Sequence, residues 1–268
     1  MGPGDDGVLD LLARGRLEVE GRLVDASNAT LFCAITLDGV SAHCVYKPVR
    51  GERPLWDFPD GTLAGREVAT YLVSEAAGLG LVPPTVLRPG PFGEGMVQLW
   101  VDTREDEDLV DIVPVEQVPP GWRSVLRAHD RFGEPALLVH ADHPRMALMA
   151  AFDAVVNNAD RKGGHVLHAG DGAVYGVDHG ICLHTDDKLR TVLWGWLGEP
   201  LPAPAVEALR RLRAELGGDL DGPLGRRLHE HLTRAEVRAL AERTDKLLAA
   251  GVYPEPSADW PAIPWPAF

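Results

Sequence analysis

The sequence has little cysteine and a deficit of positive charge. Three of its 268 residues are cysteine, and 26 Lys and Arg stand against 40 Asp and Glu, which gives a formal net charge of −14 at pH 7. Three cysteines are too few for a disulfide scaffold or a thiolate zinc site. A chain this acidic cannot hold nucleic acid through a broadly basic surface, and the same repulsion disfavours docking on anionic lipid. We therefore expect no nucleic-acid partner and no stable membrane association.

Long apolar runs are also missing. No run of 18 apolar residues occurs, and the first ten residues lack both the positive segment and the apolar stretch of a signal peptide. We therefore expect a cytoplasmic protein. Apolar residues still make up 45% of the chain, which is enough for a buried core and excludes disorder throughout.

Several familiar catalytic signatures are absent. The chain has ten histidines, but none has the HExxH spacing of zinc hydrolases, so most are expected to be structural or solvated. Neither a Gly-x-Ser-x-Gly segment nor a Gly-x-x-x-x-Gly-Lys segment occurs. No motif in the sequence therefore supports an α/β-hydrolase or a P-loop nucleotide-binding protein.

Alternating apolar residues predict an N-terminal region of strands with one main helix. A turn at Asp38-Gly39 joins two of these strands in a register that places Cys33 opposite Cys44. That pair is of the hydrogen-bonded kind, whose wide Cα spacing suits a disulfide poorly, so we expect two reduced thiols. The predicted elements are a short helix at 8–12, strands at 17–24, 30–37 and 42–47, a helix from Leu63 with Thr62 as N-cap, an extended segment at 82–87, a turn at 89–95 and a strand at 96–101.

The remainder of the chain is predicted to be mostly helical. A segment at 102–120, rich in acidic residues and proline, is expected to be a connecting loop. Thr233 and Glu236 have the spacing of a capping box. The tail at 254–268, rich in proline and tryptophan, is expected to dock on the protein surface. The other predicted elements are a buried helix at 144–157, short strands at 166–167 and 173–177, and helices at 204–216, 222–231 and 233–250.

Two charged residues in the first part are candidates for a binding site. Lys47 ends an apolar strand and shares one side of it with Val45, where a lysine could hold phosphates. Glu67 lies on the following helix and could hold that lysine by an ion pair. Each residue alone could equally be a solvent-exposed charge, Lys47 on an edge strand and Glu67 on a helix surface. Only the two together indicate a binding site.

Two polar segments in the second part complete the set. The loop at 157–165 follows the buried helix and packs two amides, one carboxylate, two cations, one imidazole and two glycines into nine positions. Asp178 follows a strand and precedes His179 and Gly180, where a carboxylate suits a hard divalent cation that also carries phosphate oxygens. Phosphoryl transfer needs a cation on the nucleotide phosphates, a carboxylate that anchors this cation, metal ligands, and a carboxylate that orients or deprotonates the attacking hydroxyl.

These segments resemble an atypical kinase family. Residues 160–165, Asp-Arg-Lys-Gly-Gly-His, are similar to the Asp-Arg-His-x-x-Asn catalytic loop of the phosphatidylinositol 3-/4-kinase-like superfamily, which includes the HipA-like protein kinases. Residues 178–180 stand where that superfamily has its Asp-Phe-Gly equivalent. An actinobacterial group of phosphatidylinositol-kinase-like proteins shares the segments VYKP, REVA, MVQLW and NNADRKGGH. The resemblance covers nearly the whole chain and implies an α+β, two-lobed protein-kinase-like fold, with a nucleotide-binding lobe at 1–101 and a catalytic lobe at 102–268.

The resemblance implies a role for each candidate residue. Asp160 matches the catalytic aspartate, and Arg161 and Lys162 place positive charge beside the transferring phosphoryl group. Lys47 would hold the α- and β-phosphates, Glu67 would pair with it, and Asp178 would bind the metal. The remaining nucleotide contacts are expected from a phosphate-covering turn with Ser27 and Asn28, a hinge with Gln98, Leu99, Trp100 and Val101, and an apolar lining that includes Val45 and Met96.

Three departures from the family pattern qualify these roles. His165 replaces the asparagine that is a second metal ligand, so either His165 binds the metal, which would allow Mn²⁺, or Asn157 or Asn158 takes over. Lys162 replaces a histidine. The segment at 181–196 is short for substrate recognition and lacks a basic cluster for a phosphoinositide head group, because Lys188 and Arg190 are offset by neighbouring aspartates.

The expected activity is transfer of the γ-phosphate of ATP, with Mg²⁺ or Mn²⁺, to a hydroxyl of a protein or of a small polar acceptor. Two alternatives stay open. A pseudokinase would use the same fold as an ATP-binding sensor or interaction module, and a nucleotidyl transferase on this fold would leave AMP on its target.

Overall fold

The computed structural model describes residues 2–23, 29–104, 107–129 and 132–268. Over these residues it contains a five-stranded N-terminal sheet, a three-stranded sheet, a two-stranded sheet of Val166–His168 and Val174–Gly176, and a helical region. The helices are α1 (Val8–Arg14), α2 (Leu63–Ala76), α3 (Pro144–Val156), α4 (Ala203–Leu216), α5 (Pro223–Leu228) and α6 (Arg234–Ala250). The strands are β1 (Arg16–Arg22), β2 (Leu31–Leu37), β3 (Val40–Pro48), β4 (Thr85–Gly90), β5 (Gly93–Leu99), β6 (Val110–Pro114), β7 (Trp122–His129), β8 (Pro135–Ala141), β9 (Val166–His168) and β10 (Val174–Gly176).

The first five strands form one antiparallel sheet in the order β1-β2-β3-β5-β4. Cys33 pairs with Cys44 as predicted, and both are buried free thiols. Cys44 and Tyr46 face a core cluster together with residues of α1. Because side chains alternate along a strand, Val45 and Lys47 lie on the opposite face of β3. That face is turned toward the rest of the molecule.

Helix α2 packs between the sheet and the helical region. Every residue from Ala64 to Ser74 is buried, including charged ones. The helix begins where predicted, and the Thr62 hydroxyl accepts a hydrogen bond from the Gly65 N–H. The Glu52 carboxylate accepts two more, from the N–H groups of Leu63 and Ala64 at 3.0 and 2.8 Å. These contacts satisfy donors that a helix N-terminus leaves free and favour a negative charge there.

A second sheet, in the order β6-β8-β7, contradicts the predicted loop at 102–120. Its strand β6 lies at a sheet edge and is paired with β8 only through one side. Charged residues and proline, such as Asp111 and Pro114, are tolerated on edge strands, and for that reason the segment has the composition of a loop. The turn predicted at 89–95 is present but tighter, because β4 continues to Gly90 and β5 begins at Gly93.

The helical region agrees more closely with the sequence. Helix α3 is buried along most of its length, and the Thr233–Glu236 capping box opens α6. Helix α5 is shorter than the prediction for 222–231. In the part of the chain that the structure describes, no helix has the length and apolarity needed to cross a membrane.

Candidate active site

Lys47 lies at the centre of a charged cluster between the sheet and the helical region. Its Nζ is 2.7 Å from Glu67 Oε1 on α2 and 2.7 Å from Asp178 Oδ1, which follows β10. Burial disfavours the charged amine, but the two carboxylates outweigh this and raise the pKa of Lys47. The side chain is therefore a fixed cation.

The two carboxylates are held differently. Glu67 is 2% exposed at its side chain, and its second oxygen accepts the backbone N–H of His179 at 3.0 Å. Asp178 is 52% exposed at its side chain and has φ of 60°, a left-handed conformation that turns it out of the strand direction. The charge of Lys47 holds the pKa of Asp178 well below its usual range. Glu67 thus anchors the lysine, while Asp178 stays ionised and accessible.

His165 lies beside Asp178 as a neutral imidazole. Its Nδ1 is 3.0 Å from the Asp160 carbonyl oxygen and 3.5 Å from the Lys162 backbone nitrogen, and in the tautomer with the proton on Nδ1 it donates to that carbonyl. Its Nε2, 3.3 Å from Asp178 Oδ2, then carries a lone pair. Burial lowers the pKa of His165 to about 4, although Asp178 opposes the shift. A lone pair and a carboxylate oxygen facing each other form a donor set suited to a divalent cation.

This donor set is small but fits a nucleotide-bound metal. Among the described residues, no group of three or more His, Cys, Asp or Glu side chains converges on one point. Mg²⁺ in nucleotide sites commonly takes one or two protein carboxylates and completes its shell with phosphates and water. Asp178 and His165 could hold such an ion, and the nitrogen ligand is better suited to Mn²⁺ than to Mg²⁺.

The side chains of Asn157 and Asn158 are engaged within the protein, which favours His165 over them as the second metal ligand. Both side chains are fully buried. Asn157 donates to two carbonyls and accepts the backbone N–H of Lys188 at 2.9 Å. Asn158 donates to Asp153 and accepts the backbone N–H of Asp160, each at 3.0 Å. These amides shape the loop instead.

Asp160 and Lys162 stay at the surface of the cleft. Their side chains are 25% and 21% exposed, and Lys162 Nζ is 3.7 Å from Asp160 Oδ2. Burial raises the pKa of Asp160, against the opposing effect of Lys162. The carboxylate is therefore a stronger proton acceptor than a free aspartate.

Arg161 does not reach the cleft, so the prediction of a catalytic role for it is wrong. The side chain is fully buried in an ion pair with Asp153 of α3, at 2.9 Å. Its other donors bind the carbonyls of His165 and Val177 at 3.2 and 3.1 Å, and His179 Nε2 lies 2.7 Å from Nη2. Arg161 thus ties the loop to α3 and to the segment after β10. Asp153 was not among the predicted residues, although a single carboxylate within a buried apolar helix indicates a buried cationic partner.

Two cavities meet at the Lys47–Asp178 pair. The first, of about 550 Å³, is lined by both residues and by Val45, Leu99, His165 and other residues of β5 and β9. The second, of about 220 Å³, shares Lys47 and Asp178 and adds Asp160. The pair therefore stands between a larger space beside the sheet and a smaller one that Asp160 lines.

The predicted hinge and apolar lining are placed in part beside the larger cavity. Gln98, Leu99, Trp100 and Val101 line it, as does Val45. The N–H groups of Leu99 and Trp100 donate to the carbonyls of Pro84 and His43, at 2.9 and 3.0 Å, so a ligand must use other main-chain groups. Met96 does not line this cavity. It is fully buried in the core cluster that includes α2, because α2 covers that face of β5. Ser27 and Asn28 lie outside the described residues.

Comparison with known proteins identifies the family and supports the fold. Protein Rv2133c of Mycobacterium tuberculosis is 52% identical over 267 residues, which cover 96% of this chain and 94% of that protein. The chain belongs to the Rv2133c family, a name that states no activity. No protein-family model matches the chain.

Comparison with a solved structure shows a kinase-like fold. The crystal structure of the golgi casein kinase aligns with 91% of this chain and 74% of its own, with a TM-score of 0.50 and 15% identity. The proinflammatory kinase CtkA of Helicobacter pylori aligns with 90% of this chain and 94% of its own, with a TM-score of 0.44 and 11% identity. The α+β, kinase-like fold predicted from the sequence is confirmed.

Proposed function

We propose that this member of the Rv2133c family is an ATP-dependent phosphotransferase that moves the γ-phosphate of ATP to a hydroxyl of a protein or a small polar acceptor. The observation that carries the proposal is the position of Lys47. Its Nζ lies 2.7 Å from both Glu67 and Asp178, at the point where the two cavities meet. A fixed cation beside an accessible carboxylate is the arrangement that holds nucleotide phosphates and their metal.

The larger cavity has the volume and lining for the nucleoside part of ATP. About 550 Å³ is within the range of small-molecule sites, and Val45 and Leu167 offer apolar surface to a purine. A nucleotide placed there would direct its phosphates toward Lys47. The kinase-like fold and the likeness of residues 160–165 to the loop of phosphatidylinositol 3-/4-kinase-like enzymes support the same orientation.

Asp178 and His165 are the residues that would hold a divalent cation. When bound, such a cation neutralises charge on the phosphate oxygens of the nucleotide. Lys162 adds positive charge on the side of Asp160. The rest of the positive charge predicted for the cleft is absent, because Arg161 is buried with Asp153.

We infer that Asp160 accepts the proton of the acceptor hydroxyl. In the proposed step the hydroxyl oxygen forms a bond to the γ-phosphorus and its proton passes to Asp160. The bond between the γ-phosphorus and the bridging oxygen breaks, and ADP leaves. Burial raises the pKa of this carboxyl, which makes it a better base.

The structure favours an acceptor other than a phosphoinositide. Lys188, one of two basic residues in the predicted recognition segment, is buried and paired with Asp57 at 2.6 Å. Arg190 donates from its Nε to the Ala159 carbonyl at 2.6 Å. A polyphosphorylated head group would need such cations free at the cleft.

Labelled ATP tests the proposal. The parent protein, Asp160→Asn and the surface control Asp10→Asn would each be incubated with α- or γ-labelled ATP and Mg²⁺ or Mn²⁺. We expect γ-label released as phosphate or attached to protein by the parent and by Asp10→Asn, with at least about a hundredfold loss in Asp160→Asn. Attachment of the α-label would instead establish AMP transfer, and ATP binding without either product would establish a pseudokinase.

A further inference from the structure

The segment at 260–268 contacts the catalytic loop directly. The carbonyl of Ala267 accepts the backbone N–H of Gly163 at 2.8 Å. Further back, the carbonyl of Ala262 accepts the N–H of Thr191 at 3.1 Å and the indole N–H of Trp194 at 2.8 Å. The tail is therefore attached at two points, and one of them is the loop that carries Asp160.

Gly163 packs closely against the ring of Phe268, a side chain that is 47% exposed. A Cβ added to Gly163 would lie 2.2 Å from Phe268 Cε1 and 2.6 Å from Cδ1. The backbone of Gly163 does not have a left-handed φ, so an alanine would meet no conformational barrier there. The absence of a side chain therefore serves the close packing of the ring and not the course of the backbone.

The loop is held from two sides as a result. The backbone of Arg161 pairs in parallel with residues 190–192. Its N–H donates to the Arg190 carbonyl at 3.0 Å, and its carbonyl accepts the Val192 N–H at 3.1 Å. The tail contact at Gly163 fixes the other end of the loop. Gly163 begins the single helical turn that ends at His165, and His165 is bonded back to the Asp160 carbonyl. A shift at Gly163 would thus move both His165 and Asp160.

We propose that Phe268 and Ala267 are positioning residues that hold the loop at 160–165 in the geometry for phosphoryl transfer. This inference rests on the proposed function. Neither residue lines the two cavities at Lys47, so their effect passes through Gly163. Displacement of a catalytic group by about 1 Å can cost a hundredfold in rate, so a loose loop would lower turnover without removing the nucleotide site.

A double-mutant cycle tests the contact. Gly163→Ala would push the ring away, and Phe268→Ala would remove it, so each is expected to lower kcat by about ten- to a hundredfold with little change in the Kd for ATP. The double variant should be no slower than either single one, because the new methyl group then occupies the vacated space. Phe268→Tyr should restore kcat, and Trp265→Ala, at a tail side chain that is 89% exposed, should leave it unchanged.

Hydrogen exchange provides a readout that does not need activity. The Gly163 N–H should exchange faster in Phe268→Ala than in the parent and at the parent rate in Phe268→Tyr. If the parent turned over no ATP, the proposed function would fail while the exchange rates still decided the contact. Unchanged exchange at Gly163 in Phe268→Ala, or losses in kcat that multiply in the double variant, would overturn the inference.

Discussion

At the residue scale, the site contains two groups of paired charges, one open to cavities and one fully buried. Lys47 and its two carboxylates lie between two cavities, whereas Arg161 and Asp153 are both fully enclosed. An enclosed pair cannot meet a ligand, but the loss of one partner leaves a buried charge without compensation. We therefore propose that Lys47 binds the ligand and that Arg161 stabilises the loop.

The Arg161–Asp153 pair gives a stability prediction. Arg161→Met should lower the free energy of unfolding by about 3–5 kcal/mol, because Asp153 would be left buried and unpaired. Arg14→Met, which breaks a pair whose side chains are 66% and 51% exposed, should cost less than about 1 kcal/mol. Urea unfolding of both variants measures the difference. Equal losses would show that the buried pair has no special role.

His165 gives a prediction about metal choice. Replacing its imidazole by an amide oxygen in His165→Asn supplies the harder ligand that Mg²⁺ prefers. We expect the ratio of ATP affinity with Mn²⁺ to that with Mg²⁺ to fall in this variant, by about threefold or more. Calorimetric titration with each metal gives the ratio. An unchanged ratio would mean that His165 does not contact the ion.

The sequence could predict some of these residues and not others. The strand pattern placed Lys47 and Val45 on one face, and the helix pattern placed Glu67 where it could meet the lysine, because both follow from local periodicity. The ion pair of Arg161 with Asp153 joins the loop to α3, and the local sequence pattern of neither element indicates the other as its partner. The same holds for Phe268 and Gly163, whose contact depends on the folding of the whole chain.

At the element scale, helix α2 links the sheet to the segment after β10, through the contacts of Glu67 with Lys47 and with the His179 N–H. It carries Glu67, and its first turn is capped by Thr62 and by the Glu52 carboxylate. The segment that contains Glu52 continues to Asp57, which is paired with Lys188 in the helical region. The start of α2 was predictable because a cap is a local feature. The sheet of β6, β7 and β8 was not, because its edge strand has the composition of a loop.

Removal of the Glu52 cap is a test of this link. Glu52→Ala loses two hydrogen bonds at the start of α2 and should destabilise the protein by about 1–2 kcal/mol. Glu18→Ala, at an exposed pair on β1, should change the stability by no more than about 0.5 kcal/mol. Thermal or urea unfolding measures both. A Glu52→Ala protein as stable as the parent would contradict the role of this carboxylate.

At the scale of the whole molecule, the net charge of −14 makes the few cations at the cleft decisive. An acidic protein that binds ATP must concentrate positive charge where the phosphates lie. The sequence suggested Lys47, Arg161, Lys162 and a metal at Asp178, and the structure removes Arg161 from that set. Lys47 is left as the cation that two carboxylates fix in place between the cavities.

The affinity for ATP in the presence of Mg²⁺ or Mn²⁺ tests this account most directly. Calorimetric titration would compare the parent, Lys47→Met and the matched control Lys246→Met, whose lysine is exposed on α6. The account predicts binding by the parent and by Lys246→Met, and at least about a tenfold weaker affinity, or 1.4 kcal/mol, in Lys47→Met. A folded Lys47→Met protein that binds ATP as tightly as the parent would contradict it.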